Sequence, residues 1–249
     1  MVLYLGDTAL DQQGAYLAGV MAHHGISYNY VDSGEAFSLE LLSRNPRMVI
    51  VSDYPAGNFS DDQLDALIER IGKGMGFAMI GGWESFTGLN HEYTDTALAE
   101  VLPVAMQSGD DRVNCDQPCM IEKLCDHAIV EGLPFDERPP MICGYNRVKT
   151  KRDATTILAA QQFKVRHGSA GFAFEPAEHP DPMLVVGDYG KGRVAVFAGD
   201  VAPHWASGLV DWGDTRITAQ APNAETVEVG NFYTQLFANL IAWTARTSG

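Results

Sequence analysis

Apolar and polar positions alternate in blocks through the first hundred residues. Val2 to Leu5 is a short apolar run, followed by an amphipathic stretch from Asp11 to His24 with Gly25 placed to end a helix. Ile26 to Val31 predicts a second strand, a short helix is predicted around Ser38 to Ser43, and Met48 to Val51 predicts a third strand. Ser60 is a suitable N-cap. Asp61 and Asp62 follow in the first turn, where the helix dipole favours carboxylates, and Leu64, Leu67, Ile68 and Ile71 form an apolar stripe. Gly72 to Gly76 then turns the chain into Phe77 to Ile80, a fourth strand. Strands separated by helices in this manner predict an α/β fold, a largely parallel sheet with helices on both faces.

From about Leu102 the rhythm changes. Pro103, Pro118, Pro134, Pro139 and Pro140 interrupt the pattern, and long irregular segments alternate with strands. Ala154 to Phe163 and Met183 to Val186 read as strands, and Tyr189-Gly190-Lys191-Gly192 as a tight turn leading into the strand Arg193 to Ala198. Gly199 to about Gly230 reads as a loop rich in Gly, Asp and Trp. Asn231 to Arg246 predicts a closing helix with Phe232, Leu236, Leu240 and Trp243 on one face. No linker or internal repeat divides the chain, so one domain with an elaborated second half is expected.

Composition narrows the function classes. The 249 residues carry 17 Lys plus Arg against 32 Asp plus Glu, a net charge of −15. Such a surface repels phosphate backbones and anionic lipids, so neither nucleic acid nor membrane is expected as a partner. Met1 to Asp7 reads as a buried strand rather than a signal peptide, and four cysteines without an export signal predict reduced thiols in a cytoplasm. The spacing Cys115-x3-Cys119-x5-Cys125-x-His127 does not match paired zinc knuckles, so neither a metal nor a cofactor is expected.

Five segments carry a resemblance. They are Met79 to Gly88, Ala99 to Val104, His127 to Lys149, Gly187 to Val194, and Phe197 to Trp205. In order and spacing they resemble a family of cytoplasmic proteins built on the class I glutamine amidotransferase fold, akin to trehalose-utilisation-type proteins. The resemblance runs from about residue 2 to residue 245. It implies a flavodoxin-like three-layer sandwich, and related domains that mediate oligomerisation raise the expectation of a homo-oligomer.

Working amidotransferases present a cysteine at the turn that ends the fourth strand, activated by a histidine from a later strand end. Matching Gly81-Gly82-Trp83-Glu84-Ser85 onto that turn puts Trp83, or at most Glu84, where the thiol should be. Neither can form a thioester, so glutaminase activity is expected to be lost. His204 is the counterpart of the activating histidine. Three readings remain open. In the first, a small polar metabolite binds at the carboxyl edge of the sheet, in a pocket of Trp83, Glu84, Asp200 and His204. Gly82 and Trp205 are further ligand candidates, with Asp7 and Asp53 at the margin. In the second, Ser85 or Glu84 works with His204 as a hydrolase. In the third, Trp83 and Trp205 are buried contacts of an assembly module. For each residue a plain role competes: Ser85 as a turn cap, the aspartates as N-caps, Trp83 as a core plug and His204 as a satisfied structural histidine.

Overall fold

A computed structural model describes residues 1–89, 92–177 and 179–247. The first part is β1 (Val2–Gly6), α1 (Gly14–His23), β2 (Tyr28–Val31), α2 (Leu39–Ser43), β3 (Met48–Ser52), α3 (Asp61–Gly72) and β4 (Gly76–Ile80). Strands β1, β3 and β4 are buried at every position, which their unbroken apolar runs foretold. Ser60 caps α3 in a full capping box: its hydroxyl accepts from the Gln63 amide, and the Gln63 side chain accepts from the Ser60 amide.

The second part is α4 (Leu98–Val101), β5 (Val104–Ala105), β6 (Arg112–Lys123), β7 (Met141–Asn146), β8 (Lys149–Thr150), β9 (Thr155–Gly168), β10 (Gly171–Pro176), β11 (Asp181–Tyr189) and β12 (Gly192–Phe197). After it come α5 (Pro203–Val210), β13 (Arg216–Gln220), β14 (Thr226–Gly230) and α6 (Asn231–Thr244). One sheet runs β2-β1-β3-β4-β12-β11-β9-β6-β7, with β10 paired to β9 alone. The first five strands of that order are mutually parallel, and from β12 onward every pairing is antiparallel. Helix α1 packs against α6, while α3 packs against α2 and α4.

Two segments expected to be irregular are ordered. The region after Leu102 contains β6 and β7, whose pairing slips register between Asn114 and Cys119. Pro118 lies within that slip and has no amide to donate to a ladder, so the run did not read as a strand. The expected loop from Gly199 to Gly230 holds α5 and the β13–β14 hairpin, which packs against α1. Ala219 and Val227 of that hairpin lie where a side chain at Gly19 would stand. Among the described residues no helix is long and apolar enough to cross a membrane.

Candidate functional site

The carboxyl ends of β1, β3 and β12 bring three aspartates together. Asp7 and Asp53 directly follow β1 and β3, both with positive φ (53° and 46°), a conformation Asp tolerates better than most residues. Asp7 is buried and accepts from the Tyr4 hydroxyl at 2.5 Å. Burial pushes its carboxyl well above the usual range, and the charges of Asp200 and Asp53 add to the shift. Burial likewise pushes Asp200 up to about 7, against the amides of Ala202 and Val201, which favour its charged form. Ser52 Oγ lies near the Asp7 carboxyl without meeting hydrogen-bond geometry. It is therefore an unpartnered buried oxygen among the described residues.

The turn after β4 does not lead into a helix. Residues 81–89 form bends and turns, and the next helix, α4, begins only at Leu98. The helix N-terminus that could have offered free amides to a ligand is therefore absent from this turn. Four of its amides point instead at side chains that are buried or nearly so. Gly82 N donates to Asn146 Oδ1 (2.9 Å), Glu84 N to Asp53 Oδ1 (2.5 Å), Thr87 N to Asp111 Oδ2 (3.0 Å) and Gly88 N to Asp111 Oδ1 (3.0 Å). Asn146 also donates to Asp111 Oδ1 and to Gly82 O. A β-carbon at Gly82 would stand 2.5 Å from the Asp53 carboxyl, so only glycine permits this approach.

Ser85 belongs to the same buried network. It is fully buried, its hydroxyl donates to Ile80 O (2.6 Å) and accepts from Asp53 N (3.1 Å), and both bonds hold the turn closed. Glu84 is partly exposed. Burial raises its carboxyl above the usual range, with the charges of Asp53 and Glu92 adding.

Above this layer Trp83 projects from the turn, half-exposed at 50%. The Arg112 guanidinium lies over its ring at 4.7 Å, and the exposed His204 ring stands edge-on at 6.0 Å. Arg112 is itself held by two bonds to the Asp110 carboxylate, each 2.9 Å. Trp83 and His204 thus meet at one edge, with Glu84 beside Trp83 on the turn and bonded through its amide to Asp53. Trp83 and His204 form an exposed shelf; cavities of about 710 Å³ beside Lys123 and His127 and about 700 Å³ beside Arg47 and Arg246 lie elsewhere.

Trp205 departs from the expected ligand role. It is buried, donates from Nε1 to Asn114 Oδ1 (2.8 Å) and fills the space beside Gly144, where a β-carbon would stand 2.3 Å from its ring. It is a packing residue between α5 and β7. The cysteines also lie away from the turn, Cys115 and Cys119 on β6, Cys143 on β7 and Cys125 just after β6. Asp111, Arg112 and Asn146 were not anticipated as site residues. Asn146 lay inside the resembling segment, but nothing in its local pattern marked it as the partner of a turn 64 residues away.

The model of the GATase1_like family, described as "Putative glutamine amidotransferase", matches residues 42–218. The chain belongs to this family. A solved cytoplasmic protein of Salmonella typhimurium is 25% identical over 98% of each chain, with a TM-score of 0.74. A second cytoplasmic protein of Salmonella typhimurium LT2 is 27% identical over 83% of this chain and 90% of its own, with a TM-score of 0.67. A ThuA-like protein of Parabacteroides merdae, 11% identical, shares the fold over 98% of this chain and 89% of its own (TM-score 0.57). No curated protein sequence matches the chain.

Proposed function

We propose that this family member is a non-catalytic binding protein that holds a small polar molecule, neutral or cationic, on the shelf around Trp83 and His204. The observation that carries the reading is the contrast at the turn after β4. The Ser85 hydroxyl and the amides of Gly82 and Glu84 are directed inward, while an indole is directed outward between Arg112 and His204. The strand order β2-β1-β3-β4-β12 supports a flavodoxin-like sandwich, and in open α/β sheets of that kind ligands bind at the carboxyl edge.

The sign of the local charge chooses the ligand class. Burial raises the carboxyls of Asp7, Asp53, Glu84 and Asp200 above their usual range, and the neighbouring carboxylates add to the shift. The nearby cation, Arg112, is neutralised by Asp110. An anion would meet these carboxyl oxygens on a chain of net charge −15, whereas a sugar-like or amine-bearing molecule would find an aromatic platform and acceptors. The hydrolase reading is disfavoured because Ser85 is buried with its hydroxyl doubly bonded. The two Salmonella relatives are described as cytoplasmic, which supports the same compartment here.

The test is a thermal-shift panel of uncharged polyols and sugars, amines, carboxylates and phosphates, run beside an assay for ammonia release from glutamine. A ligand at 100 times its Kd stabilises by about 2.7 kcal/mol, a readily measured shift. The expected result is a response to neutral or cationic members, lost in Trp83→Ala, with no ammonia released. A response confined to anions, a response that survives Trp83→Ala, or glutamine turnover would overturn the reading.

A further inference from the structure

Strands β9 and β10 form an arm. Only the first part of β9 belongs to the main sheet, where Thr155 to Ala160 pairs with β11 and Leu158 to Gln162 with β6. From Phe163 to Gly168 the strand pairs with β10, which has no other partner and is exposed along its whole length. The register places Phe172 opposite His167, Phe174 opposite Val165 and Pro176 opposite Phe163, so these six side chains share one face. Arg166 and Glu175, joined in an ion pair, mark the other face with Lys164.

The β10 side of that apolar face is uncovered. Phe172 is 70% and Phe174 59% exposed, the two most exposed phenylalanines among the large apolar side chains of the described residues. A two-stranded ribbon has marginal stability in water, and beyond the bond from Val165 N to the Gln117 side chain of β6 its outer half, with Phe172 and Phe174, stays in solvent. Contiguous exposed aromatic surface of this kind marks an interaction site rather than a solvated one.

We infer that the β9–β10 arm is a self-association element that docks its Phe172–Phe174 face on a second copy of this chain. Charge selects that occupant. Residues 163–176 carry Lys164 and Arg166 against Glu175, a net +1, while the whole chain carries −15, which leaves −16 on the rest. Two bodies repel each other, but each arm is attracted to the other body. Reciprocal docking also reaches a sufficient area. Four phenylalanines, two from each arm, bury on the order of 150 Å² each, a substantial share of the roughly 1,600 Å² total of a standard interface, before the opposing surface is counted. A twofold arrangement closes the assembly and covers both arms together.

Sedimentation velocity of the full chain over a wide concentration range tests this, with far-UV circular dichroism to confirm folding. The expected result is a wild-type dimer, weakened about thirty-fold or more in Phe172→Ser/Phe174→Ser, as for paired anchor residues. Because both side chains are already in solvent, the monomer should melt as before. Lys164→Glu/Arg166→Glu provides a second variant that leaves the aromatic face intact, and it should also weaken the dimer, most clearly at low salt. A wild-type protein that stays monomeric throughout, or a dimer that persists unchanged in either variant, would overturn the inference. Ligand binding at Trp83 is not involved in this readout, so the two proposals fail separately.

Discussion

The carboxyl edge of the sheet has two layers that use similar residues in opposite ways. In the lower layer Asp53, Ser85, Asp111 and Asn146 are buried or nearly so, and their hydrogen bonds close the turn from Gly82 to Gly88. In the upper layer Trp83 and His204 face solvent and hold nothing in place beyond one another and Arg112. A serine, a carboxylate and a glycine-rich turn resemble catalytic parts in sequence, yet burial turns them into supports. The amides of Gly82, Glu84, Thr87 and Gly88 are already bonded to protein oxygens, so they are not open to an oxyanion. What remains available for function is the layer the lower one holds up.

Substitutions in the two layers should therefore separate stability from binding. The largest effect is expected for Asp111→Ala. It would leave the amides of Thr87 and Gly88 and the Asn146 side chain without their acceptor, a loss of about 3–5 kcal/mol readable by chemical denaturation. A loss below 1 kcal/mol, on the order of a surface change, would break the distinction.

Next in size is a pH dependence from the buried aspartates. Asp200 binds its proton more tightly in the folded chain than in the unfolded one, with a native pKa near 7, and Asp7 is raised in the same direction. Folding stability is then greatest toward the acid side of this window and falls as pH rises from the ordinary carboxylate range to about 7. The slope approaches about 1.4 kcal/mol per pH unit for one such group. Asp200→Asn, which keeps an acceptor for the Ala202 amide, should flatten the Tm-against-pH curve and raise Tm at pH 8. A wild-type Tm that rises steadily across this window would contradict the shared burial of these carboxyls.

Ser85→Ala should cost about 1–2 kcal/mol through loss of the bonds to Ile80 and Asp53, while ligand response persists. Trp83→Ala and His204→Ala should change stability by only about 0.5 kcal/mol and still abolish or weaken the ligand response. A ligand response that vanished in Ser85→Ala, with folding intact, would return the hydroxyl to the reaction.

Much of the frame was legible because it obeys local rules. Unbroken apolar runs announced β1, β3 and β4, and the cap at Ser60 marked where α3 starts. Strand β6 was hidden by its polar residues and Pro118, and the β13–β14 hairpin by the Gly-Asp-Trp composition around it, although Thr226-Val227-Glu228-Val229 alternates as a half-buried strand should. The partners at the site were harder to foresee. That Trp83 and Asp53 sit at strand ends follows from the pattern, but that Asn146 of β7 and Asp111, just before β6, return to bond the turn is a tertiary fact. Trp205 shows the converse error: an indole near a polar loop reads as a ligand platform, whereas the glycine at 144 makes room for it in the core.

Amide hydrogen exchange resolved at Gly82, Glu84, Thr87 and Gly88 tests most directly whether the turn's donors are committed inward. Bonded to Asn146, Asp53 and Asp111, these amides should exchange slowly, with protection approaching that of the buried strand β4. Exchange as fast as in exposed loops would mean that the donors are free, and the turn would have to be regarded again as a reactive site.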